Sequence, residues 1–322
     1  MHITEGIITG VPALAYTGVS LGLVGYGARK MKVFAKEHPE KKPLLGMAGA
    51  FIFFLSLVPI PAFFGTTSHP CGSPLAGILL GPWIGIAITG LSLILQAAFF
   101  AHGGVSTWGA NVITLGVGGA FFGWLIFRIC RRLGFSLMVS GALGGLIGDI
   151  MVYVIAGLSL SAVLSIAPQP QFSFTGYLTA IYAAYLPIQG PIALGEMFIT
   201  GFILKYIYDN RPEILESLKV VSCYTVILLI AGFLLVFPVN EAFSQEKNNN
   251  NLEIISKKDK IIGMDEAVNE KMARSAGVAP RAPYIDLQAL GDVWNAVMMF
   301  AGGICGFIIG RWWHLLFGGV KK

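Results

Sequence analysis

The sequence predicts an all-α polytopic membrane protein. The expected architecture is a seven-helix bundle with a broken half-helix at a polar loop, then two further transmembrane helices. Three observations carry this. Of 322 residues, 55% are hydrophobic and only 12% charged, about half the roughly 25% of an average soluble domain. The charges are also uneven: nine acids and seven bases fall between Glu241 and Asp292, leaving eight acids and twelve bases in residues 1–240. Finally, the apolar residues form runs that approach the ~20 residues needed to cross a bilayer. A soluble enzyme and a disordered chain are both excluded by this composition. The net charge of +5 suits basic cytoplasmic loops, and no basic face alternates with aromatics, so nucleic acid is not an expected partner.

The runs follow in order. Residues 11–28 form the first and residues 44–64 the second, closed by Pro59 and Pro61. Residues 75–80 are a short piece before Gly81-Pro82, and residues 83–100 a full span. Residues 111–129 and 137–158 are two more. Residues 176–208 are long, with a break expected near Pro187 and Pro191, because proline removes a helix donor. Residues 220–237 and 293–313 complete the set. Forty-one glycines suit helices that approach closely.

Basic clusters orient the runs. Arg29 to Lys42, Arg128 to Arg132, Lys205 to Lys219, and Arg311 with Lys321 and Lys322 are all expected on the cytoplasmic side. Between the first two clusters the three full runs give an odd number of crossings, so residues 65–80 must supply another. That segment holds Ser, Thr, His and Pro. Irregular backbone at membrane depth survives only inside protein or beside a hydrated cavity, so a dipping loop carrying His69 and a half-helix are expected. The count places the N-terminus outside and the C-terminus in the cytoplasm. Residues 1–215 read as one transmembrane domain. Residues 216–322 read as a two-span accessory region with an external loop over about 240–292, opened by the run Asn248 to Asn251.

The candidate chemistry lies in a few polar residues. The start, Met1-His2-Ile3-Thr4-Glu5-Gly6, has no basic stretch before an apolar run, so it reads as a mature terminus and not as a signal peptide. A free amine at Met1, the amide nitrogen of His2 and its imidazole can chelate one ion, and His69 would complete a planar four-nitrogen site. That geometry points to Ni²⁺ or Cu²⁺, and Co²⁺ fits if the protein imposes it. The alternative is a chance histidine in a frayed terminus. Thr66, Thr67 and Ser68 could hydrogen-bond the His69 imidazole and hold its orientation. Cys71 is a soft donor nearby, but a thiolate there would hold an ion too tightly for easy release. His102 is either a loop-capping residue or one beside the site on the path of the entering ion. Glu5 could hold the N-terminal segment in place. Asp149 and Glu196 are the two acids inside confident spans, so each should face the bundle interior with a partner; structural and transport roles both remain open. His38 and His314 read as a solvated loop residue and an interfacial one. No HExxH, GxSxG or Walker A loop occurs, so any ATP hydrolysis must come from a partner.

These residues resemble the CbiM/NikM family, the cobalt- and nickel-binding membrane subunits of energy-coupling factor transporters. The matching stretches are Met1 to Gly6, Ser68-His69-Pro70-x-Gly72, Pro74 to Pro82, Gln96 to Gly103-Gly104 and on to Gly109-x-Asn111, Gly148-Asp149 with Tyr153, Glu196 with Thr200, and Arg211-Pro212-Glu213. They cover about residues 1–215 in order. The resemblance implies seven helices and capture of Co²⁺ or Ni²⁺ as transported substrate, serving cobalt transport and cobalamin biosynthesis. It also implies metal ligands at Met1, His2 and His69, a loop from Gly104 to Asn111 shaped over the site, and no enzyme activity. The implied partners are a membrane-coupling transmembrane subunit and two cytoplasmic ATPase subunits. Residues 216–322 have the layout of a fused NikN/CbiN-like accessory unit. The alternative function is an intramembrane metal-dependent enzyme or a metal-site assembly factor.

Overall fold

The computed structural model describes residues 2–57, 60–61, 66–100, 102–221, 262–263 and 265–281. The span expected at 220–237, apart from Val220 and Val221, the span at 293–313, the asparagine run and Met1 lie outside them.

Among the described residues, five helices are long and apolar enough to cross a membrane: Gly10–Glu37, Pro82–Phe99, Trp108–Arg132, Leu137–Leu164 and Phe174–Asn210. The first is α1 (Gly10–Glu37). It exposes Val11, Leu14, Val19 and Leu21, a row that suits lipid and not water. A single 3₁₀ turn (Pro39–Lys41) leads into α2 (Lys42–Leu55). The second apolar run was expected to stay helical to residue 64, but α2 stops at Leu55. Beyond it the chain forms the short strand β1 (Ile60–Pro61), antiparallel to β2 (Thr66–Ser68). Proline cannot donate to a ladder and sits at sheet edges, which is where Pro61 lies.

After β2 comes α3 (Ser73–Leu80), the expected half-helix, with all eight residues buried. A helix apolar on every side must be surrounded by protein or lipid. Here α4 (Pro82–Phe99) and the helical stretch that follows surround it. That stretch runs through α5 (Trp108–Asn111), a π-helical segment (Val112–Phe121) and α6 (Phe122–Arg132). The approach is close enough that a Cβ on Gly77 would lie 2.1 Å from the Ala120 carbonyl oxygen, so only glycine fits.

Two long helices close the bundle, α7 (Leu137–Leu164) and α8 (Phe174–Asn210), packed along each other. The break expected at Pro187 and Pro191 is absent, and α8 is continuous through both prolines. Membrane helices tolerate proline when neighbouring helices and side chains satisfy the freed backbone groups. α9 (Pro212–Ser217) ends this part.

The segment from Ile262 to Arg281 adds what the all-helical expectation lacked. Its strand β3 (Ile262–Gly263) pairs in parallel with β2, Thr66 opposite Ile262 and Thr67 opposite Gly263. A π-helical turn (Asp265–Glu270) and α10 (Lys271–Ser275) follow. Val268, Ala273 and Ala276 share one core with Ile3, Ile7 and Ile8 and with Tyr153, Leu160, Tyr177, Ile181 and Tyr185. Burying each isoleucine contributes about 1.5–3 kcal/mol. The N-terminal segment and the segment around Val268 to Ala276 are therefore seated together against α7 and α8.

Candidate metal centre

The N-terminal segment is held by its backbone. Asn111 grips Ile3 from both sides: its Oδ1 accepts from Ile3 N at 2.7 Å, and its Nδ2 donates to Ile3 O at 3.0 Å. Thr107 Oγ1 donates to the same carbonyl at 2.7 Å. Glu5 Oε2 accepts from Ser106 N at 3.1 Å, and Gly6 N donates to Ser106 Oγ at 3.2 Å. The loop from 103 to 111 is thus a cradle for residues 3–6. Gly104 allows this contact, since a Cβ there would stand 2.6 Å from Glu5 Cα.

This cradle brings three histidines together. His2 and His69 are buried and His102 is partly exposed. The ring centroids are 5.0 Å apart for His2 and His69, 4.1 Å for His2 and His102, and 5.1 Å for His69 and His102. One ligand nitrogen from each lies within 4.8 Å of the others. His102 is placed by its own N–H, which donates to the Gln96 carbonyl at the end of α4 at 3.3 Å. His69 Nδ1 lies 3.1 Å from the Pro70 carbonyl oxygen. A carbonyl can only accept, so in this bond Nδ1 carries the proton and Nε2 keeps its lone pair. His102 Nε2 stands 3.3 Å from that Nε2.

Burial lowers the pKa of all three. It holds His102 down to about 3, and it pushes His2 and His69 well below the ordinary histidine value, helped by the neighbouring imidazoles. The rings are therefore neutral near pH 7, the form that binds metal. Three neutral imidazoles gathered in one buried site are suited to a divalent transition-metal ion.

The other expected residues are placed as follows. Ser68 accepts from Gln189 Nε2 at 2.6 Å, which ties the loop to α8. Thr67 contributes its backbone to the sheet. Glu5 and Asn111 hold the N-terminal segment, and Met1 lies outside the described residues. Asp149 and Glu196, from α7 and α8, meet each other and Cys71 in a second buried cluster. The segment around Asn269 and Arg281 brings contacts that no residue spacing announced. Asn269 Nδ2 donates to the His2 carbonyl at 3.4 Å and Arg281 N to the Glu5 carbonyl at 3.0 Å. Tyr185 OH donates to Asn269 Oδ1 at 2.5 Å. The one signal in the sequence was the charge-rich, extended character of that segment.

The chain is similar to known proteins in sequence and in fold. Residues 2–214 match the CbiM family model, described as the cobalt uptake substrate-specific transmembrane region. The chain is 34% identical to a cobalt transport protein CbiM of Geobacter sulfurreducens, covering 98% of this chain and 90% of that protein. It is 37% identical to a putative cobalt transport protein CbiM of Methanococcus voltae, covering 68% of this chain and 96% of that one. A crystal structure of a transition metal transporter superposes with a TM-score of 0.58 at 24% identity, covering 68% of this chain and 98% of the other. A truncated transition metal transporter superposes with a TM-score of 0.57 at 24% identity, over 65% of this chain and 99% of that one. Both structural matches are likenesses of fold.

Proposed function

The chain belongs to the CbiM family and is a multi-pass transmembrane component of cobalt uptake, a transport protein and not an enzyme; from that premise we propose that it captures Co²⁺ or Ni²⁺ at the outer face of the cytoplasmic membrane. The enzyme alternative is set aside by the family. The observation that carries the proposal is the gathering of His2, His69 and His102 in one buried site. The ligands we assign are the Met1 amine, the His2 amide nitrogen and imidazole, and His69. The double grip of Asn111 on Ile3 supports this, because it fixes the peptide next to the chelating one. His102 stands beside the ion. The relatives' names favour cobalt, while a planar four-nitrogen set also suits nickel.

A second reading has its own support. His102 lies as near to His2 as His69 does, so the three imidazoles could bind the ion with one position open. Proton release separates the two ligand sets. Neutral imidazoles give up no proton on binding, whereas an amide nitrogen must lose one. Equilibrium binding of Co²⁺ and Ni²⁺ to the wild type, His2→Ala, His69→Ala and a form with one added N-terminal residue tests the assignment. Loss of the histidine-site equivalent in all three variants is expected, with at least one proton released as that first equivalent binds to the wild type. Normal binding by the extended form overturns the amine chelate and leaves the three-imidazole site.

In this reading α2 and α3 serve as two shorter crossings that complete seven, with the N-terminus outside. Residues 216–322 form the two-span accessory region, whose external loop reaches the site through β3. The captured ion is driven inward by a membrane-coupling subunit and two cytoplasmic ATPases. Labelling of cysteines placed at Lys41 and Asn250 checks the sidedness: only the second is expected to react from outside, and external labelling at Lys41 reverses the assignment.

A further inference from the structure

Just past His69 lies the second buried cluster. Cys71 precedes α3, Asp149 comes from α7 and Glu196 from α8, and all three are essentially inaccessible. One ligand atom from each lies within 4.8 Å of the others. Cys71 Sγ donates to Asp149 Oδ1 at 3.2 Å, and Ser73 Oγ is 3.5 Å from the same sulfur. Both Glu196 oxygens accept from Gly72 N, at 3.1 and 3.3 Å.

Glu196 alone has a structural explanation, because a carboxylate at a helix N-terminus caps it. Asp149 does not. Its Oδ2 is buried with no hydrogen-bond partner among the described residues. Neither carboxylate pairs with a lysine or arginine among those residues. Leaving buried acids ionised without a counter-charge is costly, and either a proton or a bound cation relieves it. A thiolate with two carboxylates suits a borderline divalent ion such as Co²⁺ or Zn²⁺. Two residues of chain span at most about 7 Å, so Cys71 is one short step from His69, at the entrance to the buried half-helix.

We propose that Cys71, Asp149 and Glu196 form a second, inner site that takes the transported divalent cation after it leaves the histidines. The order of occupation rests on the capture function proposed above; the existence of the inner site does not. Loading breaks the Cys71 S–H bond, forms a metal–sulfur bond and releases one proton to solvent. Unloading takes one proton back. A standing thiolate would hold the ion tightly, so it is the return of the proton to Cys71 that breaks the metal–sulfur bond and frees the ion.

The test is Co²⁺ titration of the purified full-length protein, following bound metal by equilibrium dialysis and thiolate-to-cobalt charge transfer in the near ultraviolet. The wild type is expected to take a second equivalent that brings the thiolate band. Cys71→Ser and Asp149→Asn should each lose the band and weaken the second equivalent by about tenfold or more, while retaining the first. The retained first equivalent also reports folding. If Asp149→Asn does not fold, the near-isosteric Cys71→Ser carries the test alone. His2→Ala should lose the first equivalent and keep the band. A wild type that saturates at one equivalent without a band overturns the proposal, as does a band that survives Cys71→Ser. If the N-terminally extended form binds normally and the band is present, the inner site stands although the amine chelate fails.

Discussion

The two buried clusters are built in opposite ways. The histidines ride on three loops, and the His2 segment is held by side chains far away in sequence that hydrogen-bond its backbone, chiefly Asn111, Thr107 and Asn269. The acid cluster takes Asp149 and Glu196 from within α7 and α8, and Cys71 from the residue pair that opens α3. A site held on helices changes shape little, whereas one held on loops depends on every strut. The arrangement suits a histidine site that must form around an ion and let it go, beside an acid cluster that stays in place.

The sharpest way to break this comparison is to wedge the cradle open. Gly104→Val places a side chain where even a Cβ would stand 2.6 Å from the Glu5 backbone. The N-terminal segment must then leave. Co²⁺ affinity at the histidines is expected to fall by about 100-fold or more, since misplacing ligands by an ångström has effects of this order. The second equivalent at Cys71 should persist. Loss of both together would show that the clusters are not independently held.

Asn111→Ala is milder. It removes both hydrogen bonds to Ile3 and one to Thr107 Oγ1, and leaves the buried Ile3 N–H without this acceptor, a cost of about 1–3 kcal/mol. Isothermal calorimetry should show Co²⁺ binding weakened by roughly 10- to 100-fold with an unchanged fold. An unaltered affinity would mean that the core around Ile3, Ile7 and Ile8 positions the segment without Asn111.

The third prediction concerns β3, the strand that pairs with β2. Replacing Ile262 and Gly263 by two prolines removes the amide donors of β3 and so its pairing with β2. Each lost hydrogen bond is worth about 0.5–1.5 kcal/mol, so bound ⁵⁷Co²⁺ should dissociate roughly three- to tenfold faster in filter-binding chases. If the rate does not change, the strand covers the loop without restraining it.

Much of this was legible in the sequence, for identifiable reasons. Low charge and run length predicted a polytopic helical chain, and the odd number of crossings before Arg128 pointed to a half-helix beside His69, which α3 supplies. Histidine at position 2 and position 69 stood out because polar residues are rare in such a chain. What was hidden depends on three-dimensional proximity. Nothing in the spacing of His102 places its ring 4.1 Å from that of His2. Nor does residue 262 announce a strand that pairs with residue 66, because a two-residue strand has no periodicity to detect. Pro187 and Pro191 misled for a related reason: a proline disfavours an isolated helix, but α8 runs on through both and packs along α7. Asp149 and Glu196 were each read as needing a partner, and the structure makes them partners of one cluster.

The smallest expected effect separates the clusters by acid. His102 is partly exposed, yet burial still holds its pKa at about 3, against about 6.5 in an unfolded chain. Because the folded value is the lower one, the unfolded state binds more protons at mildly acid pH. The stability contributed by this ring is therefore present above pH 6.5 and is lost as pH falls below it. Between pH 7 and pH 5.5 the loss from His102 is roughly 1 kcal/mol or less. His2 and His69 shift in the same direction and add to it. Differential scanning fluorimetry of the metal-free protein should show a lower melting temperature at pH 5.5 than at pH 7, with a smaller difference in His102→Gln. Bound Co²⁺ should suppress the difference, because the ion competes with the proton for the same nitrogens. An identical pH slope in His102→Gln would mean that the ring is solvated enough to titrate normally. The histidine cluster would then be open to water at His102, and the contrast with the sealed acid cluster would lie in access as well as in support.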